Sequence, residues 1–211
     1  MKPLTKHRGR GVALRRSEVD TDQIIPAEYC KRLTKSGYAD ALFATWRKDS
    51  NFVLNRPEYV DASILVAGHN FGTGSSREHA VWALRDWGFV VVIATSFGDI
   101  FLRNAFKNGL LAIELPNSAI VELTDLVEAA PLVEIIVDLI DVQISAGEHN
   151  YGFTVDERAR WLLLNGFDEI ATTLENNSAI SAYEQTRLPW MPSIRPSLPV
   201  SAGNLPGEVS S

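Results

Sequence analysis

Cysteine is almost absent from this chain: Cys30 is the only one among 211 residues. A disulfide within the chain needs two cysteines, and zinc or iron-sulfur sites usually draw on several. The four histidines offer no substitute, because only His69 and His79 lie near each other in the sequence, with a predicted loop between them. We therefore expect this chain to hold no metal ion and no iron-sulfur cluster.

Long apolar runs are missing as well. No segment approaches the roughly 18 to 20 consecutive apolar residues that a membrane helix needs, and the first residues lack the apolar stretch of a signal peptide. From these two absences we expect a cytoplasmic protein without a membrane partner. Hydrophobic residues still make up 45% of the chain, which is enough for one domain to bury a substantial core.

The chain also lacks an excess of basic residues. The formal net charge is -6, whereas nucleic-acid-binding chains usually carry a basic patch or stripe. The one dense basic segment, residues 6–10 (KHRGR), is expected to be a solvated terminus or an edge strand. We expect no nucleic-acid partner. Binding through this segment remains an alternative, and it predicts an affinity that falls steeply as salt rises.

Alternating strand and helix signals occupy the middle of the chain. Apolar runs predict strands at 63–67, 89–94 and 110–114, and helical periodicity predicts helices at 75–87, 97–107 and 117–129. Alternation of this kind favours a parallel sheet covered by helices. We therefore expect an α/β fold.

The flanking segments follow a different pattern. A strand is predicted at 10–16, and a β-meander followed by helices is predicted from strands at 133–137, 141–144 and 151–155 and helices at 157–165 and 168–174. Residues 188–211 are rich in proline and small polar residues, which cannot build a packed core. We expect one domain over residues 1–187 and a mobile tail over 188–211.

The densest group of hydrogen-bonding side chains lies at residues 69–80, HNFGTGSSREHA. Gly72 and Gly74 allow a positive φ or the close approach of a ligand. Ser75 and Glu78 fit the S-x-x-E capping box, which predicts that Ser75 caps the helix. This reading leaves Arg77 and the second serine unexplained.

An anion at the start of that helix would explain them. Free N-H groups and the helix dipole favour a negative charge there. A carboxylate suits the position, because the guanidinium of Arg77 can bind both of its oxygens. A phosphate suits it less, since the segment lacks the lysine of the P-loop and the third glycine of the dinucleotide fingerprint.

An earlier polar segment, residues 20–26 (DTDQIIP), has two closely spaced carboxylates. Asp20 and Asp22 could begin a calcium loop, but the later ligand positions of such a loop are missing. The alternative is an Asx or Ser/Thr turn that leads out of the first strand. Composition alone favours the turn.

Two motifs in this order resemble a known family. GTGSSREHA (72–80) is similar to the active-site loop of the swivelling domain of the aconitase superfamily, and DTDQIIP (20–26) is similar to that domain's other hallmark. Their spacing, the segment 97–111 and the pair Tyr183-Glu184 resemble the small-subunit family of 3-isopropylmalate dehydratases. The resemblance implies a swivelling β/β/α domain, with a partly parallel sheet, flanking helices and a β-meander.

The resemblance also implies an activity. It is that of a hydro-lyase subunit, inactive alone, which pairs with a large subunit holding a 4Fe-4S cluster whose open iron acts as a Lewis acid. The reaction converts the hydroxydicarboxylate 2-isopropylmalate to 3-isopropylmalate through isopropylmaleate, in leucine biosynthesis. Alternatives are the small subunit of a homoaconitase or of a citraconate or dimethylmalate hydratase, or a carboxylate-binding module without chemistry.

Catalytic and substrate-binding roles follow from the matched motif positions. The resemblance makes Ser75 the base that removes a proton next to a carboxylate. It gives Ser76 and Arg77 the task of binding a carboxylate of the substrate. No metal ligand is implied in this chain.

Selection of the substrate and support of the site are assigned in the same way. The loop after Pro26 resembles the substrate-selecting loop, so its polar residues are expected to bind the substrate: Tyr29, Lys31 and Arg32. The remaining motif residues are expected to shape the site: Asp20, Thr21, Asp22, Gly72, Gly74, Glu78 and His79. His69 and Asn70 are expected to brace the loop.

Overall fold

The computed structural model describes residues 1–74, 77–188 and 190–192. The strands in this part are β1 (Lys6–Leu14), β2 (Ala62–Ala67), β3 (Val91–Ala94), β4 (Leu111–Glu114), β5 (Glu134–Asp138), β6 (Gln143–Ala146) and β7 (His149–Gly152). The α-helices are α1 (Thr21–Ile24), α2 (Glu78–Trp87), α3 (Asp99–Lys107), α4 (Asn117–Ala129), α5 (Glu157–Asn165), α6 (Glu169–Leu174) and α7 (Asn177–Thr186). Short 3-10 turns lie at Ala27–Lys31, Ala39–Ala41, Trp46–Lys48, Val53–Asn55 and Pro57–Tyr59.

These strands form one sheet in the order β4-β3-β2-β1-β5-β6-β7. β4, β3, β2 and β1 are parallel neighbours, and we call them the parallel half. β5 pairs antiparallel with β1, and β6 and β7 continue antiparallel; these three strands are the antiparallel half. The predicted partly parallel sheet and the predicted β-meander are therefore confirmed as the two halves of a single sheet.

The parallel half is buried between helices. β3 is buried at all of its positions, and β2 is buried at all but Ser63. Strands covered on both faces are continuous apolar runs, which is why they were recognisable in the sequence. α2 packs its buried Ala80, Val81, Ala83 and Leu84 into this core, and α4 packs against β1 and β2. The core thus supports the loops that follow the parallel strands.

β1 differs from its prediction in both length and place. It spans Lys6–Leu14; residues 6–10 pair with β5, whereas β2 pairs with β1 only from Arg10 onwards, so residues 6–9 are hydrogen-bonded to a strand on one side only, as in an edge strand. The cations of this segment are paired with carboxylates: Lys6 with Asp138 (2.8 Å), Arg8 with Glu134 (2.8 Å) and Arg10 with Asp61 (3.7 Å). The cations Lys6, Arg8 and Arg10 are thus each matched by a carboxylate.

Local capping signals fix the ends of α5. The Asp156 carboxylate accepts a hydrogen bond from Ala159 N (2.9 Å) at the start of the helix. Gly166 ends the helix in the left-handed region, with φ of 69°. Because an acceptor before a helix and a glycine after it are readable in the sequence, the predicted bounds 157–165 are confirmed.

The chain separates into two compact units, Met1–Thr172 and Thr173–Ser211. The first contains all the strands named above. The second contains α7, in which no residue is buried. The domain boundary after residue 187 and the mobile tail stay predictions, and Pro189 and residues 193–211 lie outside the described residues. No helix in the described part of the chain combines the length and apolar character needed to span a membrane.

Candidate active site

The segments that follow β1, β2 and β3 meet at the carboxyl edge of the parallel half. Backbone hydrogen bonds join them: Gly68 N to Arg16 O (3.0 Å), Glu18 N to His69 O (2.8 Å), Gly72 N to Val19 O (2.7 Å), Thr21 N to Thr73 O (3.0 Å), Phe71 N to Ser96 O (3.0 Å) and Gly98 N to Phe71 O (3.0 Å). Parallel strands all end at one edge, so segments distant in sequence become neighbours there. Residues 69–80 therefore lie directly beside residues 20–26.

Gly72 and Gly74 shape the turn between these segments. Both have a positive φ, of 75° and 88°, as the sequence predicted. Gly72 meets a second requirement, since a Cβ at this position would lie 2.2 Å from Cγ of the buried Phe101 on α3. An open cleft of about 240 Å³ borders the turn, lined by Gly72, Thr73, Gly74, Gly98, Asp99, Ile100 and Phe101.

The two serines of the motif, Ser75 and Ser76, lie outside the described residues. α2 begins at Glu78 with Arg77 in the N-cap position, so the predicted helix start at Ser75 is wrong. Glu78 also does not sit at the third position of the helix, where a capping box requires it. Instead, Glu78 Oε1 accepts a hydrogen bond from Asn108 Nδ2 (2.9 Å). Glu78 thus connects α2 to the end of α3.

The segment 20–26 is a capped turn. Asp20 Oδ1 accepts a hydrogen bond from Gln23 N (2.7 Å), and Gln23 Oε1 accepts one from Asp20 N (3.0 Å). This reciprocal pair is a capping box for α1. The turn interpretation is confirmed over the calcium loop for Asp20, whose carboxylate is used by the backbone. Thr21 is almost wholly buried, and it is tied to the neighbouring motif through its backbone N-H.

Asp22 and Arg77 join the two motifs through their side chains. The guanidinium of Arg77 donates a hydrogen bond to Asp22 Oδ1. The Arg77 side chain is 24% exposed and that of Asp22 is 54% exposed, so the pair is open to solvent rather than part of the core. Hydrogen bonding to Asp22 raises the pKa of Arg77, which keeps its charge fixed at the site. The sequence predicted both residues but not their contact.

A set of bonds braces the loop before Gly72. His69 Nδ1 lies 2.9 Å from Ser96 Oγ, and Ser96 Oγ also accepts a bond from Asn70 N (2.9 Å). Asn70 Nδ2 donates to Glu18 Oε2 (2.6 Å). The bracing role predicted for His69 and Asn70 is confirmed. Their partners Glu18 and Ser96 were missed, because no local pattern reveals a contact between separate loops.

His79 faces an aromatic group. Its ring centroid lies 4.7 Å from that of Trp82 and 5.5 Å from that of Tyr38, the latter in an edge-on arrangement. Tyr38 is fully buried, whereas His79 is half-buried. These contacts fit the supporting role predicted for His79 and attach the start of α2 to the segment around Tyr38.

The loop after Pro26 begins with a 3-10 turn. Within that turn Tyr29 is half-buried and Lys31 is exposed. The guanidinium of Arg32 lies over the ring of Tyr29, 5.0 Å from its centroid, and forms two hydrogen bonds of 2.7 Å with Asp40. Asp40 was not among the predicted residues. Lys31 is thus the exposed cation of the turn, while Arg32 is held by a neighbour.

The described residues hold no cluster of metal-ligating side chains. In the part comprising residues 1–74, 77–188 and 190–192, no three or more His, Cys, Asp or Glu side chains are grouped to hold a metal ion. Cys30 is a free, half-buried thiol. A 4Fe-4S cluster is held by several Cys thiolates, so the residues of this chain do not fit one.

The chain is similar to known proteins over most of its length. The profile of the aconitase C-terminal domain matches residues 1–118. A 3-isopropylmalate dehydratase small subunit from Acidothermus cellulolyticus is 55% identical over 197 residues, which are 93% of this chain and 100% of that protein. One from Salinispora tropica is 56% identical over 194 residues, covering 92% and 100%. The crystal structure of a 3-isopropylmalate dehydratase from Methanocaldococcus jannaschii superposes with a TM-score of 0.63 at 28% identity, covering 85% of this chain and 99% of that one.

The three kinds of similarity agree. The domain profile includes both hallmark segments, 20–26 and 72–80. The curated relatives match along their whole length, and the solved relative has the same fold along most of this chain. This chain belongs to the family of 3-isopropylmalate dehydratase small subunits within the aconitase superfamily.

Proposed function

We propose that this chain is the small subunit of a hydro-lyase that converts 2-isopropylmalate to 3-isopropylmalate through isopropylmaleate, a step of leucine biosynthesis. The observation that carries the proposal is the Asp22–Arg77 pair, which brings a carboxylate-binding cation to the meeting point of the two hallmark motifs. The names of the relatives favour isopropylmalate over the substrates of homoaconitases and of citraconate or dimethylmalate hydratases.

Arg77 would bind a carboxylate of the substrate together with Ser76. The guanidinium is planar and can donate two parallel hydrogen bonds to a carboxylate. Asp22 orients it before the substrate arrives, so less conformational freedom is lost on binding. Gly72 and Gly74 line a cleft of about 240 Å³ in the same motif. The described part of the motif thus gives a cation for a carboxylate and, at its glycine turn, a small open cleft.

Ser75 would act as the base that removes the proton next to that carboxylate. A serine hydroxyl is a weak base unless nearby positive charge stabilises its deprotonated form. Arg77 follows two positions later in the chain, and the N-terminal end of α2 begins at Glu78. The charge of the guanidinium and the helix dipole both favour an anion at this position.

Catalysis would require a second chain. This chain does not fit a 4Fe-4S cluster, and the relatives are named as small subunits. We propose a heterodimer with a large subunit that holds the cluster, which supplies Lewis-acid chemistry when bound. The small subunit would contribute the base and the carboxylate-binding loop, in the cytoplasm. The substrate-selecting residues would come from the loop after Pro26, including Tyr29 and Lys31.

The test is turnover of 2-isopropylmalate by the complex of this chain with a cluster-bearing large subunit, followed through the absorbance of isopropylmaleate. Native complex should turn over, and Ser75→Ala should reduce kcat by about 1,000-fold, within the range for a lost general base. Ser145→Ala is the matched control, because Ser145 Oγ bonds Asn150 (2.7 Å) in the antiparallel half and should leave kcat unchanged.

Two outcomes would contradict the proposal. A native complex that isomerises no branched malate would overturn the assigned reaction. Full activity in Ser75→Ala, with the two subunits still co-eluting in size-exclusion chromatography, would keep the reaction but remove the serine from it.

A further inference from the structure

Residues 31–37, which we call the selection loop, are fastened at their base by a group of contacts that no family motif assigns. We propose that Asp40 and Tyr38 are positioning residues: through Arg32 and peptide carbonyls they hold the selection loop in place beside α2, and so set the affinity for the substrate. This inference rests on the proposed function above. It assigns Arg32 to the loop itself rather than to direct binding of the substrate.

The first fastening is the pairing of Arg32 with Asp40. Both terminal nitrogens of the guanidinium donate to the two carboxylate oxygens at 2.7 Å, and the guanidinium also donates to Gly37 O. The geometry is the two-pronged one that makes such pairs strong and directional. Hydrogen bonding to Arg32 lowers the pKa of Asp40 and raises that of Arg32, so both stay charged near neutral pH. The two ends of the loop are thereby joined.

The second fastening is the Tyr38 hydroxyl. Its single proton is shared between Thr34 O (2.9 Å) and Arg32 O (3.2 Å). This contact holds the backbone of the selection loop at two residues. The Tyr38 ring is fully buried against His79 and Trp82 of α2. Its backbone N donates to Asp86 Oδ2 on the same helix (2.9 Å). The loop is therefore attached to the helix that directly follows Arg77.

Asp40 itself is held in place. The Arg47 guanidinium donates to carbonyls of the turn that carries Asp40, at 3.3 Å to Ala39 O and 3.4 Å to Leu42 O. It also lies 4.3 Å over the ring of Trp87, at the far end of α2. Arg47 thus links the turn that carries Asp40 to Trp87 of α2.

These contacts fix the two ends of the selection loop and leave its middle exposed. Leu33 has 102% relative exposure, and Lys35 is also exposed. An exposed loop that is already ordered loses less conformational freedom when it meets a ligand. Weakening the contacts that fasten the selection loop should therefore reduce the affinity for the substrate and leave the rate of the chemical step unchanged. This difference separates a positioning residue from a catalytic one.

The experiment compares variants of the two-subunit complex. Asp40→Asn and Tyr38→Phe should each raise KM for 2-isopropylmalate about tenfold, with kcat within about twofold of native. The matched control is Asp125→Asn, because Asp125 accepts a hydrogen bond from Arg15 elsewhere and has the same 61% side-chain exposure as Asp40. It should change neither constant. An unchanged KM in Asp40→Asn and Tyr38→Phe would overturn the inference.

A double-mutant cycle separates positioning from direct binding. If Arg32 acts through Asp40, then Arg32→Gln should raise KM no further in the Asp40→Asn background than Asp40→Asn does alone. Effects that multiply, with Arg32→Gln costing far more than Asp40→Asn, would show that Arg32 contacts the substrate and would overturn its assignment to the loop.

A third measurement does not depend on activity. Trypsin cleavage after Lys35, measured on the full chain by mass spectrometry, should be about fivefold faster or more in Asp40→Asn and Tyr38→Phe than in Asp125→Asn. Equal cleavage rates would overturn the inference even if the native complex were active. A native complex inactive on 2-isopropylmalate, with faster cleavage in the two variants, would instead refute the proposed function and keep the fastened loop.

Discussion

The two halves of the sheet differ in what their strand ends bring together. The described site residues all follow strands of the parallel half: Asp20, Thr21 and Asp22 come after β1, and Gly72, Gly74 and Arg77 come after β2. The described part of the antiparallel half contributes no contact to this group. Its outer strand β7 has no buried position.

Strand direction explains the difference. Parallel strands end at the same edge, so the segments that leave them lie side by side and can share hydrogen bonds. Antiparallel strands end at alternate edges and are joined by tight turns such as the one at Gly147, which leaves no room for converging loops. The antiparallel half therefore stabilises β1, while the parallel half also builds a site. Equivalent substitutions in the two halves test this comparison.

The largest contrast is expected for the same change in two turns, Gly72→Ala and Gly147→Ala. Both glycines have a positive φ, but the new Cβ would meet Phe101 at 2.2 Å in the first case and nothing closer than 3.9 Å in the second. Gly72→Ala should lower the free energy of unfolding by about 2 to 5 kcal/mol, the sum of crowding and backbone strain. Gly147→Ala should lower the free energy of unfolding only by the cost of backbone strain at a positive φ, about 1 to 2 kcal/mol.

Urea unfolding of both variants measures this contrast. Gly72→Ala should also reduce turnover of the complex, because the cleft beside it is lined by the same turn. Equal destabilisation by the two substitutions would mean that Phe101 yields easily, and it would break the proposed distinction between a packed functional turn and an open structural one.

A smaller contrast is expected for two arginines, Arg77 at the site and Arg8 on β1, where that strand pairs with the antiparallel half. Arg77→Lys should lower kcat/KM about 100-fold, or roughly 2.7 kcal/mol, because lysine cannot reproduce the planar fork. Arg8→Lys, in an exposed pair with Glu134 on β5, should leave kcat/KM unchanged and alter stability by under about 1 kcal/mol. Steady-state kinetics of the complex provide the measurement. Similar activity in Arg77→Lys would remove the carboxylate-binding role from Arg77.

The smallest effect concerns the alkaline stability of the antiparallel half. Burial, with a hydrogen bond to Glu122, raises the pKa of Tyr151 from 10.0 to about 12. Between these values the folded chain keeps a phenolic proton that the unfolded chain has lost, so stability should fall as pH rises from about 10 to about 12. Tyr151→Phe should flatten that slope.

Urea midpoints across this pH range would show the effect. A residual slope should remain in Tyr151→Phe, since burial also raises the pKa of Tyr59. Activity of the complex at neutral pH should not change, because Tyr151 lies in the half without site residues. A loss of turnover at neutral pH in Tyr151→Phe would show that the antiparallel half does contribute to the site, and it would contradict the comparison.

Secondary structure was predictable where local signals were complete. The helices at 117–129 and 157–165 have the predicted bounds, and the strand predicted at 63–67 is one residue short. The prediction failed at the start of α2, because the capping pattern of Ser75 and Glu78 places the helix start at Ser75, whereas α2 begins at Glu78. It also missed the start of β1 at Lys6, because the charged residues 6–10 lack the apolar pattern of a strand and the acids that pair with them lie on other segments.

The site was predictable as a set of residues but not as an arrangement. By itself the sequence determined the residue chemistry, the two glycine turns, the family and the alternation that selects a parallel sheet. Only the tertiary structure decided that Arg77 meets Asp22, that Asn70 meets Glu18 and that Arg32 is held by Asp40. The physical reason is that turn and helix preferences act over a few residues, whereas side-chain pairs between loops depend on strand order and on the shared edge where parallel strands end.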